Sequence, residues 1–157
     1  MIRRVLFVCL GNICRSPTAH GVFQKLVDER GLSHAIEIDS AGTGDWHVGR
    51  SPDTRTQTAA RQRGYDLSPL RARQVIVQDF HIYDFILAMD DSNLADLKRM
   101  VPAEFAGHLG LFLEFARKHN VREVPDPYYG GNDGFTLVLD MVEDAAEGLL
   151  EKIHSQL

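Results

Sequence analysis

Cys9 and Arg15 stand six positions apart in a loop that reads Cys9-Leu10-Gly11-Asn12-Ile13-Cys14-Arg15-Ser16, and these residue types together can hold an anion and attack it. A continuous apolar run, Val5-Leu6-Phe7-Val8, leads into Cys9, as a strand buried on both faces requires. Ser16-Pro17 follows, an N-cap residue with proline at the first helical position. A loop between a strand end and a helix start can turn its backbone N–H groups onto an anion above that helix's N-terminus. Gly11 permits close backbone approach, and Asn12 is the non-glycine type most tolerant of a left-handed conformation. Arg15 adds a planar fork for two oxygens. The same donors favour a thiolate at Cys9, and a Ser16 hydroxyl would bond that sulfur and stabilise it as a leaving group. A ring of eight residues suits phosphate. Cys9 by itself reads equally well as a small buried hydrophobe; the flanking strand and helix carry the chemical reading.

The elements that must position this loop alternate between strand and helix patterns. The helix opening at Ser16 carries Ala19, Val22, Phe23, Leu26 and Val27 on one face, and Gly31 can end it. Ile36-Glu37-Ile38-Asp39 reads as a second strand, stopped by Ser40-Ala41-Gly42. Ser51-Pro52 opens a further helix that ends near Gly64. Phe85-Ile86-Leu87-Ala88-Met89 is a third strand, and Asp90 or Asp91 caps a helix carrying Leu94, Leu97 and Met100 that Pro102 stops. Leu109-Gly110-Leu111-Phe112 is a fourth strand. A long last helix carries Phe135, Val138, Val142, Ala145, Leu149, Leu150 and Ile153. Repeated strand–helix alternation implies an α/β three-layer sandwich, a parallel sheet with helices on both faces. Ligands of such sheets sit at the carboxyl ends of the strands, beside a topological switch point, where the loop after the first strand lies.

Composition narrows the classes of function. The chain has 157 residues, enough for one domain over 1–157 with a core of its own. A formal net charge of −5 argues against nucleic acid and against an anionic membrane surface as partner. Two cysteines are too few for a disulfide scaffold or a structural zinc site. The histidines, His20, His34, His47, His81, His108, His119 and His154, show no paired ligand spacing and read as surface or core. Arg61, Arg63, Arg71 and Arg73 form a basic stretch that reads as solvated surface. The start, Met1-Ile2-Arg3-Arg4 and then apolar residues, mimics a signal peptide. Its apolar run is only six residues long, below the roughly 7–15 of such a segment, so it is read as a strand of a cytoplasmic protein.

The loop, with Val8 before it and Pro17-Thr18-Ala19 after it, resembles the low-molecular-weight protein tyrosine phosphatase family. Asp126-Pro127-Tyr128-Tyr129-Gly130 matches that family's late acidic element, and Asp39-Ser40-Ala41-Gly42-Thr43, Asp45-Trp46 and Ala88-Met89-Asp90 also fit its pattern. The resemblance spans essentially the whole chain. It implies a four-stranded sheet in the order 2-1-3-4 and hydrolysis of phosphotyrosine in proteins through a phosphocysteine, with no cofactor and no metal. Inorganic phosphate would be product and competitive ligand. Cys9 would be the nucleophile, Arg15 the oxygen clamp and Asp126 the general acid. Leu10 to Ser16 would bind phosphate. Trp46, Tyr128 and Tyr129 would line the aromatic slot. Asn12, Ser16, Asp39 and Ser40 would brace the loop. Asp90 would hold Arg15 or merely cap the following helix. Cys14 would capture an oxidised Cys9 as a disulfide. One departure is visible: a histidine that the family often carries before Ala72-Arg73 is absent, with Leu70 in that segment.

Three rivals are weaker. A thiol-dependent arsenate reductase relays through cysteines downstream, and none follows Cys14. Protein-arginine phosphatases carry a small hydroxyl residue where this chain has Ile13, whose apolar side chain favours an aryl phosphate. A silent phosphotyrosine-binding module would have no use for Cys9, Arg15 and Asp126 together.

Overall fold

Every residue from Val5 to Cys9 is buried because β1 (Arg3–Cys9) runs through the middle of the sheet. The computed structural model describes residues 1–128 and 130–157. Val5, Phe7 and Cys9 face one layer of helices, and Leu6 and Val8 face the other, as the two-residue period of a strand demands. β1 pairs with β2 (Ile36–Gly42) on one side and with β3 (Phe85–Ala88) on the other; β4 (His108–Leu111) extends the sheet beyond β3. All pairings are parallel and the order is β2-β1-β3-β4, as the resemblance implies.

The helices divide between the faces. On the first, α1 (Arg15–Glu29) and α5 (Asn132–His154) pack together; Phe23 and Val27 of α1 and Val142, Leu149 and Ile153 of α5 close over Phe7. The Phe7 ring meets Phe23 and Phe112 edge-on, with centroids 5.8 and 4.9 Å apart. A shorter α2 (Thr54–Gln62) lies against α5. On the second face, α3 (Asp79–Ile82) brings Phe80, and α4 (Asp91–Met100) brings Leu94 and Leu97, onto Leu6, Ile86 and Ala88. A 3-10 turn, Phe112–Phe115, follows β4. Among the described residues no helix is long and apolar enough to cross a membrane.

β3 ends at Ala88 rather than Met89, and β4 runs from His108 to Leu111, with Phe112 opening the 3-10 turn instead of closing the strand. Other boundaries differ from the sequence expectation for reasons local patterns do not carry. β2 continues through Ser40 and Ala41 to Gly42 because Cys9 pairs with Gly42 and the ladder with β1 stays in register to its end. The first helix begins at Arg15, with Cys14 at its cap position, and Ser16 makes no cap bond; its hydroxyl is drawn inward to Cys9. Pro17 is tolerated there because the first N–H groups of a helix have no partner within it. Asp53, rather than Ser51, caps α2, its carboxylate accepting from the N–H groups of Arg55 and Thr56 at 2.8 and 3.3 Å. The single turn α3, too short to show a helical period, escapes a sequence reading.

The end of β2 bears on the loop directly. A Cβ on Gly42 would sit 2.7 Å from the Leu10 carbonyl oxygen and 3.2 Å from the Asn12 nitrogen, so the loop rests on bare backbone. Gly42→Ala should lower stability by about 1–3 kcal/mol, the usual cost of overpacking, and weaken phosphate binding as well. Urea unfolding and phosphate titration check this; an unchanged unfolding midpoint would show that the loop yields freely.

Candidate active site

Asn12 turns the loop after β1 back on itself. It is the only described non-glycine residue with positive φ, at 57°. In that conformation its backbone N–H points at the Cys9 sulfur, 3.2 Å away. Its side chain is buried and satisfied at both ends: Oδ1 accepts the backbone N–H of Arg73 at 3.0 Å, and Nδ2 lies 2.7 Å from Ser16 Oγ. Because Arg73 supplies a donor, the amide oxygen must face it, and the amide nitrogen must face Ser16. Ser16 Oγ therefore accepts from Asn12, which leaves its own proton for Cys9 Sγ at 3.0 Å, with the Ala41 carbonyl a poorer acceptor at 3.4 Å. Two donors thus converge on a sulfur that is 3% exposed at the carboxyl end of the central strand.

Arg15 opens α1 and reaches across the switch point. Its Nη1 donates to Asp90 Oδ2 at 2.7 Å and to the Val124 carbonyl at 2.9 Å, and its Nη2 lies 3.7 Å from Asp126 Oδ2. Burial works against the charge, but the attraction of Cys9, Asp90 and Asp126 outweighs it and raises the guanidinium's pKa. Asp90 performs both tasks that the sequence left open: Oδ2 holds Arg15, and Oδ1 caps α4 by accepting the Asn93 N–H at 2.7 Å.

Cys9, Leu10, Gly11, Ile13, Cys14 and Arg15 line a cleft of about 410 Å³, with Trp46, His47, Tyr128 and Asp126 across it. The Trp46 ring lies over Gly44, where a Cβ would come within 1.9 Å of it, and stands 67% exposed. Asp126 is exposed, and its Oδ1 accepts the Tyr128 N–H at 3.1 Å. Tyr129, the third expected aromatic, lies outside the described residues. A larger hollow of about 860 Å³ between α1 and α5 brings no thiol into reach.

Asp39 and Ser40 act one step from the loop. Asp39 accepts Arg73 Nε at 3.0 Å, and Arg73 in turn holds Asn12. Ser40 Oγ pairs with His20 Nδ1 of α1 at 3.1 Å. Burial lowers the His20 pKa, against the opposing pull of Asp39.

The reading of the basic stretch as solvated surface is corrected at two positions. Arg73 is clamped between Asp39 and both oxygens of Asp79, the latter at 3.0 Å each. Arg63 pairs with Asp140 and Glu143 of α5. His47, read as surface or core, proves to wall the cleft, its ring centroid 6.2 Å from that of Tyr128. Asp53 and Arg55 also meet the site, through Ile13 and Tyr128. The missed residues share one difficulty: each reaches the site across a tertiary contact with no local pattern.

The chain matches the family model described as low molecular weight phosphotyrosine protein phosphatase over residues 4–157. A low molecular weight protein-tyrosine-phosphatase of Streptomyces coelicolor is 44% identical over 160 residues, covering 100% of this chain and 97% of that protein. The crystal structure of a protein tyrosine phosphatase from Entamoeba histolytica, with Hepes in its active site, aligns with a TM-score of 0.95 at 39% identity over 98% of each chain. That of a Drosophila arginine phosphatase aligns with a TM-score of 0.88 at 34% identity, over 95% of this chain and 96% of that one.

The two thiols occupy different settings. Cys14 packs with Ile13, Ala72 and Phe135, and burial, with the charges of Asp53, Cys9 and Asp126, pushes its pKa up to about 12. Cys14 should therefore resist iodoacetate at pH 7 to 9 in the folded protein and react on unfolding. Peptide mass spectrometry reads the site of alkylation; ready labelling of Cys14 in the folded state would contradict its burial as a thiol.

Proposed function

Because the chain belongs to the low molecular weight phosphotyrosine protein phosphatase family, we propose that it hydrolyses phosphotyrosine in proteins through a phosphocysteine on Cys9, with Asp126 as general acid. The observation that carries this reading is the convergence of the Asn12 N–H and the Ser16 hydroxyl on Cys9 Sγ, beneath a cleft that Arg15 and Asp126 also line. Its substrates are phosphotyrosine-containing proteins of the cytoplasm, and inorganic phosphate is product and competitive ligand. Residues 1–157 act as one phosphatase domain.

The thiolate of Cys9 attacks phosphorus in line, forming the S–P bond as the bond to the aryl oxygen breaks. A tyrosyl oxygen leaves with a pKa of about 10, so a proton must reach it, and Asp126 at the cleft mouth supplies one. With Nη1 of Arg15 committed to Asp90 and Val124, its Nε–Nη2 edge serves two equatorial oxygens. The backbone N–H groups at the start of α1 serve the rest. In the second half, water attacks phosphorus and gives its proton to the Asp126 carboxylate. The S–P bond breaks, and the Ser16 hydroxyl stabilises the departing thiolate. Charge stabilisation comes from Arg15 and the loop, so no step draws on a metal.

The likeness to an arginine phosphatase sets a rival substrate against this one. Ile13, apolar and lining the cleft, supports an aryl rather than a guanidinium phosphate. The proposed Cys14 role is a resolving one. Peroxide converts Cys9 to a sulfenic acid; the Cys14 thiol, protonated until then, attacks that sulfur and gives its proton to the departing hydroxide, so the disulfide forms with release of water. An added thiol then reduces it.

Cys9→Ser should abolish turnover of 4-nitrophenyl phosphate while retaining phosphate-analogue binding, since the anion nest is mostly backbone. Turnover of the parent chain should persist in a strong chelator and exceed that of a phosphoarginine peptide. Substantial residual activity in Cys9→Ser would remove Cys9 as nucleophile. For the redox role, mild peroxide should inactivate the parent chain reversibly, and Cys14→Ser should recover much less after a reducing thiol is added. Equal recovery in the two would refute protection by Cys14.

A further inference from the structure

A series of hydrogen bonds outside the cleft ties its two walls together. Asp53 donates its backbone N–H to the Ile13 carbonyl, 2.9 Å away on the loop that holds Cys9. Its carboxylate grips Arg55: Oδ1 accepts the Arg55 backbone N–H at 2.8 Å and Nε at 3.2 Å, and Oδ2 accepts Nη2 at 3.1 Å. The same Nη2 donates to the Tyr128 carbonyl at 2.8 Å. The guanidinium also lies 5.4 Å from the Tyr128 ring centroid and 4.9 Å from that of Phe135. Tyr128 completes the series by donating its N–H to Asp126 Oδ1.

The segment that carries Asp126 is therefore pinned on both sides. Upstream, Val124 donates its N–H to the Met89 carbonyl at 2.8 Å and accepts from Arg15. Downstream, Arg55 holds the Tyr128 carbonyl. Asp126 stands between these anchors with 42% of its side chain exposed, and packing alone gives it little to define its direction. A planar guanidinium suits the downstream anchor. Its fork meets a carboxylate along one edge while one nitrogen still reaches a carbonyl, and its face stacks on rings. An ammonium offers no such plane.

We propose that Arg55 is a positioning residue that aims Asp126 at the leaving-group oxygen, acting through the Tyr128 backbone. The proposal rests on Asp126 being the general acid. It calls for no direct contact between Arg55 and phosphate.

A leaving-group series separates the two ideas. kcat/KM covers the steps through cleavage of the aryl–oxygen bond, so it should be measured on aryl phosphates from 4-nitrophenyl to phenyl. The parent chain, Asp126→Asn, Arg55→Ala and the double variant should be compared, with thermal unfolding as a check on folding. Asp126→Asn should lose most on phenyl phosphate, whose leaving group needs the proton most. Arg55→Ala should follow the same slope more mildly, losing about tenfold on phenyl phosphate, a part of the 10²–10⁴ that a well-placed acid supplies. On 4-nitrophenyl phosphate it should lose little. The double variant should lose no more than Asp126→Asn alone, because residues acting through one group are not additive. Arg55→Lys, which keeps the charge without the fork, should fall between parent and Arg55→Ala, and it carries the test if the alanine variant folds poorly. A loss from Arg55→Ala that is absent, is parallel across the series, or adds fully to that of Asp126→Asn would overturn the positioning role while leaving Asp126 as acid. A flat series for Asp126→Asn itself would overturn the general-acid reading, and this proposal with it.

Discussion

Arg15 carries its charge at 3% exposure, and much of the site is arranged so that this charge is never left unpaired. A buried cation without partners costs several kcal/mol, so its neighbours have little freedom to move away. Asp90 comes from the end of β3, Val124 and Asp126 from the segment before α5, and Arg15 itself from the loop after β1. One guanidinium thereby fastens together segments that the sheet order sends in different directions. The β2-β1-β3-β4 order opens the gap beside β1, and Arg15 fills it.

A second constraint acts on Asn12. A left-handed backbone at a non-glycine residue is strained, and here it persists because both ends of the amide are bound. The donor to its oxygen is a backbone N–H, that of Arg73, whose guanidinium is held by Asp39 and Asp79 and whose carbonyl accepts the Gly42 N–H at 2.8 Å. The segment through Ala72 and Arg73 is thus tied to the end of β2 by its backbone and to α3 by its side chain. This arrangement needs no histidine in the preceding segment, where Leu70 stands. The direction of the Ser16 proton, and with it the hydrogen bond to Cys9, follows from a chain that begins two elements away.

The two halves of the cleft differ in burial. The sulfur side is buried, and Cys9 Sγ is held there by the Asn12 N–H and the Ser16 hydroxyl. The acid side is exposed, with Asp126 Oδ1 accepting the Tyr128 N–H. Both halves open onto one cleft, which Trp46, His47 and Tyr128 also line.

The strand ending at Cys9, the loop and the helix after it could be read from residue order, because they depend on neighbours a few positions away. Asp90 was legible only as a pair of alternatives, since capping is local and ion pairing is not; the fold makes both true. Arg73, read as solvated surface, lies beneath the loop because α3 brings Asp79 to it and β2 brings Asp39. His47, Asp53 and Arg55 likewise meet the site across turns whose direction no periodicity records. Ser16 was legible twice, as a helix cap and as a hydroxyl partner of the Cys9 sulfur; the fold discards the first, since Cys14 takes the cap position, and keeps the second. What the amino-acid order determined by itself was the chemistry available and the elements that carry it. Which side chains face that chemistry was decided by tertiary contacts, because a hydrogen bond between residues dozens of positions apart exists only after the sheet has set their distance.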